Sequence, residues 1–344
     1  MNRLVLAYSG GFAASAMIGW LAEQQAAEVV TVTLDIGQGR ELAAVRERAL
    51  ASGAVRAHVI DAREEFVRDF VQPALQAGVF AAGRLDRVAS LACPLIARRL
   101  VEIARMESAS LVAHGGRPGS SSEAALHAAI GSLDPALRVL APLREWPPAR
   151  ASAVPVPPAE RWRTDANLWG RVVEPVDNEL AADAFVLTRA AAETPRDAAF
   201  VEIDLVAGVP VRANGVEMPL VEMIESLETI AGAHGVGRLP LPDGRAVEAP
   251  AAHVLAAAHG ALTEVTLGAD LAALQRQLAV VYVRLIDGGR WFSDVREGID
   301  TFVRILQPRV SGQVRVRLSR GECTIADVRA SRPAAGAPSP KAVA

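Results

Sequence analysis

Short apolar runs alternate with helix-length gaps through the first half of the chain, and this alternation restricts the fold more than any other feature of the sequence. Each run is a strand candidate, and each gap is long enough to hold a helix. The five runs are residues 4–8, 29–34, 57–60, 111–113 and 139–141. Strands that alternate with helices form βαβ units, so we predict an α/β fold built on a parallel, doubly wound sheet.

A proline-rich segment ends this pattern. Residues 146–162 read WPPARASAVPVPPAERW, and the five prolines forbid a continuous helix there. We therefore predict a linker and divide the chain into a doubly wound domain at 1–158 and a second domain at 159–330. The last segment, residues 331–344, reads SRPAAGAPSPKAVA and is expected to be a disordered tail.

The second domain shows an α+β pattern. Residues 200–206 and 209–213 flank an Ala207-Gly208 turn, which predicts a β-hairpin. A helix is expected to begin at Pro219 and to end near Gly235, because Pro suits the first helical position and Gly the residue after the last. Two or three further helices are expected between residues 248 and 306, followed by a strand on which Val314, Val316 and Leu318 alternate with polar residues.

Charge and cysteine content exclude several classes of partner. The chain has 36 Lys plus Arg and 39 Asp plus Glu, so its net charge of -3 offers no general attraction to nucleic acid or to an anionic membrane. Cys93 and Cys323 lie far apart without CxxC spacing, which is typical of a reducing compartment, and we expect a cytoplasmic protein. Residues 4–22 are almost uncharged, but Ser9-Gly10-Gly11 interrupts them, so a buried strand and helix are favoured over a signal peptide or membrane span.

The first strand candidate runs into a turn suited to binding an anion. LAYSGGFAAS, at residues 6–15, places Ser9, Gly10 and Gly11 between a strand and a helix. Backbone N–H groups at a helix N-terminus stabilise phosphate, and open α/β sheets bind ligands at the carboxyl ends of their strands. The pattern is neither GxGxxG nor GxxxxGK[ST], so dinucleotide and Walker-type sites are not indicated.

Segments distributed along most of the chain carry a specific resemblance. They include AYSGG at 7–11, TLDIGQ at 33–38, AHGG at 113–116, APLREW at 141–146, DANLWGR at 165–171 and WFSDVREGIDTF at 291–302. Together they resemble the argininosuccinate synthase family. The resemblance implies an ATP pyrophosphatase domain of the N type followed by a synthetase domain, with the reaction of that family. There, the ureido oxygen of citrulline attacks the α-phosphate of ATP, pyrophosphate leaves, and the amine of aspartate displaces AMP.

The resemblance also implies an ATP site, with Mg²⁺ accompanying the nucleotide. The expected contacts are Ala7, Tyr8, Ser9, Gly10, Gly11, Ser15, Leu34, His114 and Gly115. The family loop resembles SGGLDTS, and here Phe12, Ala13 and Ala14 replace its Leu-Asp-Thr. A carboxylate and a hydroxyl beside the leaving pyrophosphate are therefore missing, whereas the backbone donors remain.

The amino-acid site departs further from the family pattern. Leu85 stands where the family has a tyrosine that contacts citrulline, and Cys93 stands where it has an arginine. The segment HGGRPGSSSEAALH, at 114–127, lacks the threonine, lysine, asparagine, aspartate and arginine of the corresponding family segment. The polar residues left to form a substrate pocket are Ser90, Arg117, Ser121, Ser122 and Arg163.

Two interpretations remain open, and a third, tRNA modification by a distant pyrophosphatase relative, is disfavoured because the net charge of -3 offers no phosphate-binding footprint. The first is an ATP-dependent, AMP-forming carbon–nitrogen ligase that takes small amino-acid-like substrates other than citrulline plus aspartate, and the retained turn favours it. The second is a non-catalytic relative that binds a nucleotide or a partner, and Ala13 and Ala14 favour that one. The sequence assigns no catalytic residue and no metal ligand. Glu123 and His127 are interpreted as a solvent-exposed pair in preference to a polar group of a remodelled pocket.

The oligomeric state is also left open. Family members assemble as tetramers through a C-terminal helix, and residues 331–344 lack the residues usual in that element. A homo-oligomer smaller than a tetramer, or a monomer, is therefore the expectation.

Overall fold

The first five strands form one parallel sheet, as the alternation of apolar runs predicts. The computed structural model describes residues 2–39, 41–81, 84–116, 120–145, 161–176 and 179–331. The strands are β1 (Asn2–Ala7), β2 (Ala27–Asp35), β3 (Arg56–Asp61), β4 (Leu111–His114) and β5 (Arg138–Leu140). Their order is β3-β2-β1-β4-β5 and every neighbouring pair is parallel. The predicted α/β class is confirmed.

Helices cover both faces of this sheet. They are α1 (Phe12–Gln25), α2 (Leu42–Ala51), α3 (Arg63–Phe66), α4 (Gln72–Gln76), α5 (Cys93–Met106), α6 (Ser121–Leu133) and α7 (Pro142–Glu145), with a π-helical stretch, Val67–Val71, joining α3 to α4. Alternate residues of β1 face opposite layers: Leu4 and Leu6 share a buried cluster with Ile18 of α1, whereas Val5 shares one with Leu100 of α5. Because β1 is buried on both faces, its sequence is a continuous apolar run.

The apolar residues 4–22 therefore belong to β1 and α1, as the sequence favoured. Within the described ranges, none of the helices combines the length and the apolar composition that a bilayer-spanning segment needs. Cys93 is buried, Cys323 is partly buried, and both are free cysteines.

Two antiparallel sheets make up the second half. Their strands are β6 (Trp162–Asn167), β7 (Gly170–Pro175), β8 (Ala199–Val206), β9 (Val209–Ala213), β10 (Val216–Glu217), β11 (Arg238–Pro240), β12 (Ala246–Glu248), β13 (Gly312–Ser319) and β14 (Glu322–Ala330). One sheet has the order β10-β9-β8-β13-β14 and the other β11-β12-β7-β6. The second sheet was not predicted. Most of the expected linker, residues 146–160, lies outside the described residues, and its expected end at Trp162 is wrong because that residue begins β6.

The predicted hairpin is confirmed at β8 and β9. Ala207 and Gly208 both have positive φ, 50° and 74°, which is the turn geometry that matches the twist of two antiparallel strands. Four helices accompany the two sheets: α8 (Leu220–Ala233), α9 (Pro250–Thr266), α10 (Ala269–Asp287) and α11 (Asp294–Leu306). Pro219 precedes α8 as its N-cap instead of opening it, and Gly235, at φ 72°, follows the end of α8 as predicted. The tail from residue 332 onward lies outside the described residues.

Aromatic contacts join the two halves. Trp169, between β6 and β7, packs its ring 5.3 Å from that of Phe80, and Trp291 packs 5.1 Å from Phe70. Both tryptophans are almost fully buried. Aromatic pairs of this kind contribute more than their buried area alone, so they stabilise the junction between the halves.

Glu107 joins the amino ends of two strands, β1 and β3. Its buried carboxylate accepts hydrogen bonds from Arg3 of β1 at 2.8 Å and from Arg56 of β3 at 2.6 Å, and it lies 3.0 Å from His58 Nε2. Burial by itself raises the pKa of Glu107, but the hydrogen bonds from His58 and Arg56 outweigh that effect and lower the pKa overall. The carboxylate therefore stabilises the fold in its charged form.

We expect Glu107→Gln to lower the free energy of unfolding by about 2 kcal/mol at neutral pH, because charge-assisted hydrogen bonds to a buried group are weakened. Since the folded pKa lies below the unfolded one, the stabilisation is present above the unfolded pKa of about 4.3 and is lost as the pH falls through the folded value. Urea unfolding at several pH values measures it. Glu28→Gln, which affects only the more exposed 3.4 Å contact with Arg3, serves as the control and should change stability by less than about 0.5 kcal/mol. Equal effects of the two substitutions would contradict this assignment.

Candidate active site

The turn after β1 has the geometry of an anion-binding corner. Gly10 has φ 77°, a conformation that favours glycine, and Gly11 is the extended N-cap of α1 with no side-chain hydrogen bond capping that helix. The first N–H groups of a helix have no intrahelical acceptor, so they are free to bind an anion. Phe12 is 56% exposed and therefore does not fill the corner with its ring.

The corner lies where the chain reverses direction across the sheet. From β1 the chain proceeds through β2 to β3 on one side and then returns to β4 on the other side of β1. Ala7, the last residue of β1, is paired with His114, the last residue of β4. Ligands of open α/β sheets bind at such a switch point, so the turn after β1 and the loop after β4 share one candidate site.

Tyr8 and Ser15 brace the corner from inside. Ser15 Oγ donates to Gly11 O at 3.0 Å and lies 2.8 Å from Tyr8 OH. Because a hydroxyl carries one proton, Tyr8 OH must donate to Ser15 Oγ. The Tyr8 carbonyl also accepts a hydrogen bond from Thr33 Oγ1 at 2.9 Å. Among the residues predicted to contact ATP, these two side chains are thus engaged with the protein and hold the turn in shape.

Helix α2 contributes two residues that sequence reasoning did not predict. Arg48 donates from Nη1 to the carbonyl of Gly10, which orients that peptide group and places a cation beside the corner. Val45 packs so closely on Gly10 that a Cβ there would lie 2.9 Å from its Cγ2. No local sequence pattern indicates either residue, because both lie more than thirty positions after Gly10 in the chain.

The TLDIGQ segment is held by its own side chains. Gln38 accepts from Ile36 N at 2.8 Å and donates to Leu34 O at 2.6 Å, while Asp35 Oδ1 accepts from Gly37 N at 3.0 Å. Leu34 is buried at the end of β2. The segment also accepts a hydrogen bond from the second half, because Leu168 N donates to Ile36 O at 2.7 Å. This loop is therefore a rigid side wall of the candidate site.

A polar cavity of about 240 Å³ opens beside that wall. It lies between the end of β2, Arg63 and helix α8. Burial raises the pKa of Glu228 on its α8 side, and the charge of Glu225 adds to the effect. A larger, mostly apolar cavity of about 670 Å³ lies between the segment that follows α4 and helices α9 and α10. It shares no residue with the turn after β1.

The loop after β4 brings a buried imidazole to the switch point. His114 is fully buried, and Gly116 N lies 3.3 Å from its Nδ1. Burial, together with the smaller effect of the nearby His127, lowers the pKa of His114 to about 4, so the ring is neutral at neutral pH. Gly115, beside it, is exposed. Both residues lie at the carboxyl end of β4, and their contact with a nucleotide stays a prediction.

Glu123 is buried, so its interpretation as half of a solvent-exposed pair with His127 is wrong. It is 1% exposed, and its Oε2 accepts a hydrogen bond from Arg144 of α7 at 2.8 Å. Ser120 caps α6 by accepting a hydrogen bond from Glu123 N at 3.2 Å. Glu123 is therefore buried near the start of α6, whereas His127, one turn later, is exposed.

The structure describes three of the side chains predicted for substrate binding, and their role stays a prediction. Ser90 is buried and donates to Arg87 O at 3.3 Å, Ser122 O accepts from the thiol of Cys93 at 3.6 Å, and Arg163 is exposed on β6. Arg117 and the side chain of Ser121 lie outside the described residues. The hydroxyl of Ser90 is thus engaged with the protein, whereas at Ser122 the hydrogen bond involves only the backbone carbonyl.

Two substituted positions have become part of the hydrophobic core. Leu85 is 3% exposed and Cys93 is 5% exposed. Burial raises the pKa of the Cys93 thiol to about 12, so the group is a neutral thiol at physiological pH. Neither side chain can supply the charge or the hydroxyl that binds an amino-acid substrate.

Comparison with known proteins assigns the family. The model of the arginosuccinate synthase N-terminal HUP domain matches residues 3–158, and that of the arginosuccinate synthase C-terminal domain matches residues 162–334. The chain belongs to the argininosuccinate synthase family. It is therefore a member of a family of ATP-dependent ligases, with the N-terminal parallel sheet as its HUP domain.

Curated argininosuccinate synthases resemble the chain over most of its length. The protein of Rubrobacter xylanophilus is 38% identical over 354 residues, which cover 96% of this chain and 86% of the relative. The protein of Gloeobacter violaceus is 39% identical, over 94% of this chain and 87% of the relative. That of Desulfitobacterium hafniense is 35% identical, over 96% of this chain and 88% of the relative. A solved structure of a predicted tRNA methyltransferase subunit from Methanocaldococcus jannaschii has a TM-score of 0.30 at 15% identity, covering 44% of this chain and 76% of that one.

We expect Gly10→Ala to weaken ATP binding at least tenfold in a calorimetric titration with Mg²⁺ present. The new Cβ meets Val45 Cγ2 at 2.9 Å at a positive φ, so the turn must move and its N–H groups lose their alignment. Gly39→Ala is the matched control, because Gly39 also has positive φ, 67°, but faces open space. Adding Val45→Ala to Gly10→Ala removes the steric contact and should restore part of the affinity. Unchanged affinity in Gly10→Ala would contradict the role of this corner.

Proposed function

We propose that this chain is an ATP-dependent, AMP-forming carbon–nitrogen ligase whose amino-acid-like substrates differ from citrulline plus aspartate. The observation that carries the proposal is a contrast between two parts of the site. The turn after β1 keeps its backbone donors with Gly10 at φ 77°, whereas Leu85, where the family has a tyrosine that contacts citrulline, and Cys93, where it has an arginine, are buried in the core. The nucleotide half of the site is thus preserved and the amino-acid half is changed.

The proposed reaction uses the corner to bind the leaving group. A nucleophilic oxygen of the first substrate attacks the α-phosphate of ATP, and the bond between the α- and β-phosphates breaks to release pyrophosphate. The N–H groups at Gly10 and Gly11 stabilise the charge that develops on that pyrophosphate. An amine of the second substrate then displaces AMP, forms the carbon–nitrogen bond and loses a proton to solvent.

Arg48 and the neighbouring segments support this role through position and charge. Arg48 holds the carbonyl of Gly10, so the peptide groups of the turn are oriented before the nucleotide arrives. The TLDIGQ wall, which its own hydrogen bonds hold in shape, is the part of the site that we assign to the adenosine of ATP. Mg²⁺ would bind mainly through phosphate oxygens, since the family's aspartate is replaced by Ala13.

Energetics argue against citrulline plus aspartate. Each charge-assisted hydrogen bond to a substrate carboxylate or ammonium contributes roughly 1.5 to 3 kcal/mol. Losing four such partners would cost about 6 kcal/mol, or roughly four powers of ten in binding. We propose an amine-bearing substrate in place of citrulline or aspartate, because the carboxylates of Glu225 and Glu228 line the polar cavity and attract a cation.

A non-catalytic relative is the alternative. Ala13 and Ala14 leave the corner without the carboxylate and hydroxyl of the family loop, and such a site could bind a nucleotide without cleaving it. In either case we infer small-molecule ligands and a reducing compartment such as the cytoplasm, which suits two unpaired cysteines.

Pyrophosphate release from ATP distinguishes these proposals. We expect release when the protein is given ATP, Mg²⁺ and the correct pair from a panel of ureido or carboxylate compounds and amines, and at least about 10³-fold slower release with citrulline plus aspartate. Gly10→Ala is the control and should abolish the signal. Rapid turnover of citrulline plus aspartate would contradict the change in substrates, and silence throughout the panel from a protein that binds ATP would favour the non-catalytic alternative.

A further inference from the structure

Three side chains beside the switch point converge on one small space. His114 ends β4, and Glu123 and His127 lie one helical turn apart on α6. Each offers one ligand atom, and these atoms all lie within 4.8 Å of one another. The rings of His114 and His127 meet edge to face, with their centroids 5.8 Å apart.

Two polar atoms of this cluster are buried without a hydrogen-bond partner. They are Nε2 of His114 and Oε1 of Glu123, and both side chains are at least 99% buried. An unsatisfied buried polar atom costs about 1 to 3 kcal/mol. A protein that keeps two such atoms within reach of a third, exposed imidazole has the arrangement of a binding site.

We propose that His114, Glu123 and His127 bind a divalent transition-metal ion, with Zn²⁺ as the best match. Two imidazoles and one carboxylate form a ligand set typical of zinc sites that keep an open fourth position. Mg²⁺ and Ca²⁺ prefer oxygen ligands, so this site is distinct from the Mg²⁺ that accompanies ATP. The proposal is independent of the ligase reaction, because it depends only on the three side chains.

The geometry needs a modest contraction. Tetrahedral ligands about 2.1 Å from a zinc ion lie about 3.4 Å from one another. The ligand atoms now lie within 4.8 Å of one another, so a closure of up to about 1.4 Å is required. His127 is exposed and free to rotate toward its two buried partners.

The neighbours of the cluster allow a metal ion to bind, although the charge of Arg144 and the contact from Gly116 N–H oppose it. Arg144 binds Oε2 of Glu123 at 2.8 Å and leaves Oε1 available, although its positive charge opposes the metal ion. Gly116 N–H points to His114 Nδ1 at 3.3 Å, which favours the tautomer protonated at Nε2. Binding of a metal through Nε2 moves that proton to Nδ1, so this long contact must open.

A metal titration of the full, tag-free chain tests the proposal. After treatment with a chelator, we expect one equivalent of Zn²⁺ to bind with a Kd in the micromolar range or tighter, undiminished by excess Mg²⁺, and Co²⁺ to give visible absorption of a low-coordinate site. The ¹⁵N shifts of His114 should report a change from the Nε2–H to the Nδ1–H tautomer. Failure of the chain to bind one equivalent would overturn the proposal.

Variants identify the ligands. His127→Ala removes an exposed side chain, so the core stays intact, and should weaken Zn²⁺ binding at least tenfold, as should Glu123→Gln. His253→Ala, which removes a histidine of α9 outside the cluster, is the matched control and should bind like the unmodified chain. Arg144→Gln should bind Zn²⁺ more tightly because it removes the opposing charge. Equal affinities of His127→Ala and His253→Ala, or weaker binding by Arg144→Gln, would overturn the ligand assignment.

Discussion

The turn from β1 into α1 depends on the contact between Gly10 and Val45, because that contact allows no Cβ and holds the backbone at φ 77°. This turn leads directly into α1, whose first N–H groups have no intrahelical acceptor. Arg48 from the same helix as Val45 holds the carbonyl of Gly10, and Ser15 holds that of Gly11. The corner is therefore shaped by packing and carbonyl contacts, and the loss of polar side chains at positions 13 and 14 leaves it in place.

The order of the parallel sheet joins this corner to the other unusual chemistry of the molecule. Ala7 and His114 are neighbours across β1 and β4, so the anion-binding turn and the His114–Glu123–His127 cluster share the carboxyl edge of the sheet. At the carboxyl end of β2, the TLDIGQ wall accepts a hydrogen bond from Leu168 of the second half. Substrates that enter between the halves would thus meet backbone donors, a polar cavity and a histidine cluster along one edge, whereas Leu85 and Cys93 have become core residues.

Features with local causes could be predicted from the sequence. The five parallel strands follow from apolar runs, the β8–β9 hairpin follows from Ala207-Gly208, and the turn between β1 and α1 follows from Ser9-Gly10-Gly11. Features that depend on distant partners could not. Glu123 is buried because Arg144, 21 residues later, pairs with it. The sheet containing β7 and β12 pairs residues more than 70 positions apart. Glu248 likewise accepts backbone hydrogen bonds from Val186, Leu187 and Thr188, an arrangement that no local pattern indicates.

A crystal structure grown with ATP and Mg²⁺ tests the central claim most directly, since it observes the main-chain donors and the nucleotide together. The account predicts phosphate oxygens within about 3.2 Å of the backbone nitrogens at Gly10 and Gly11, with Val45 and Arg48 unmoved. A nucleotide bound elsewhere, or a corner closed by the ring of Phe12, would contradict it.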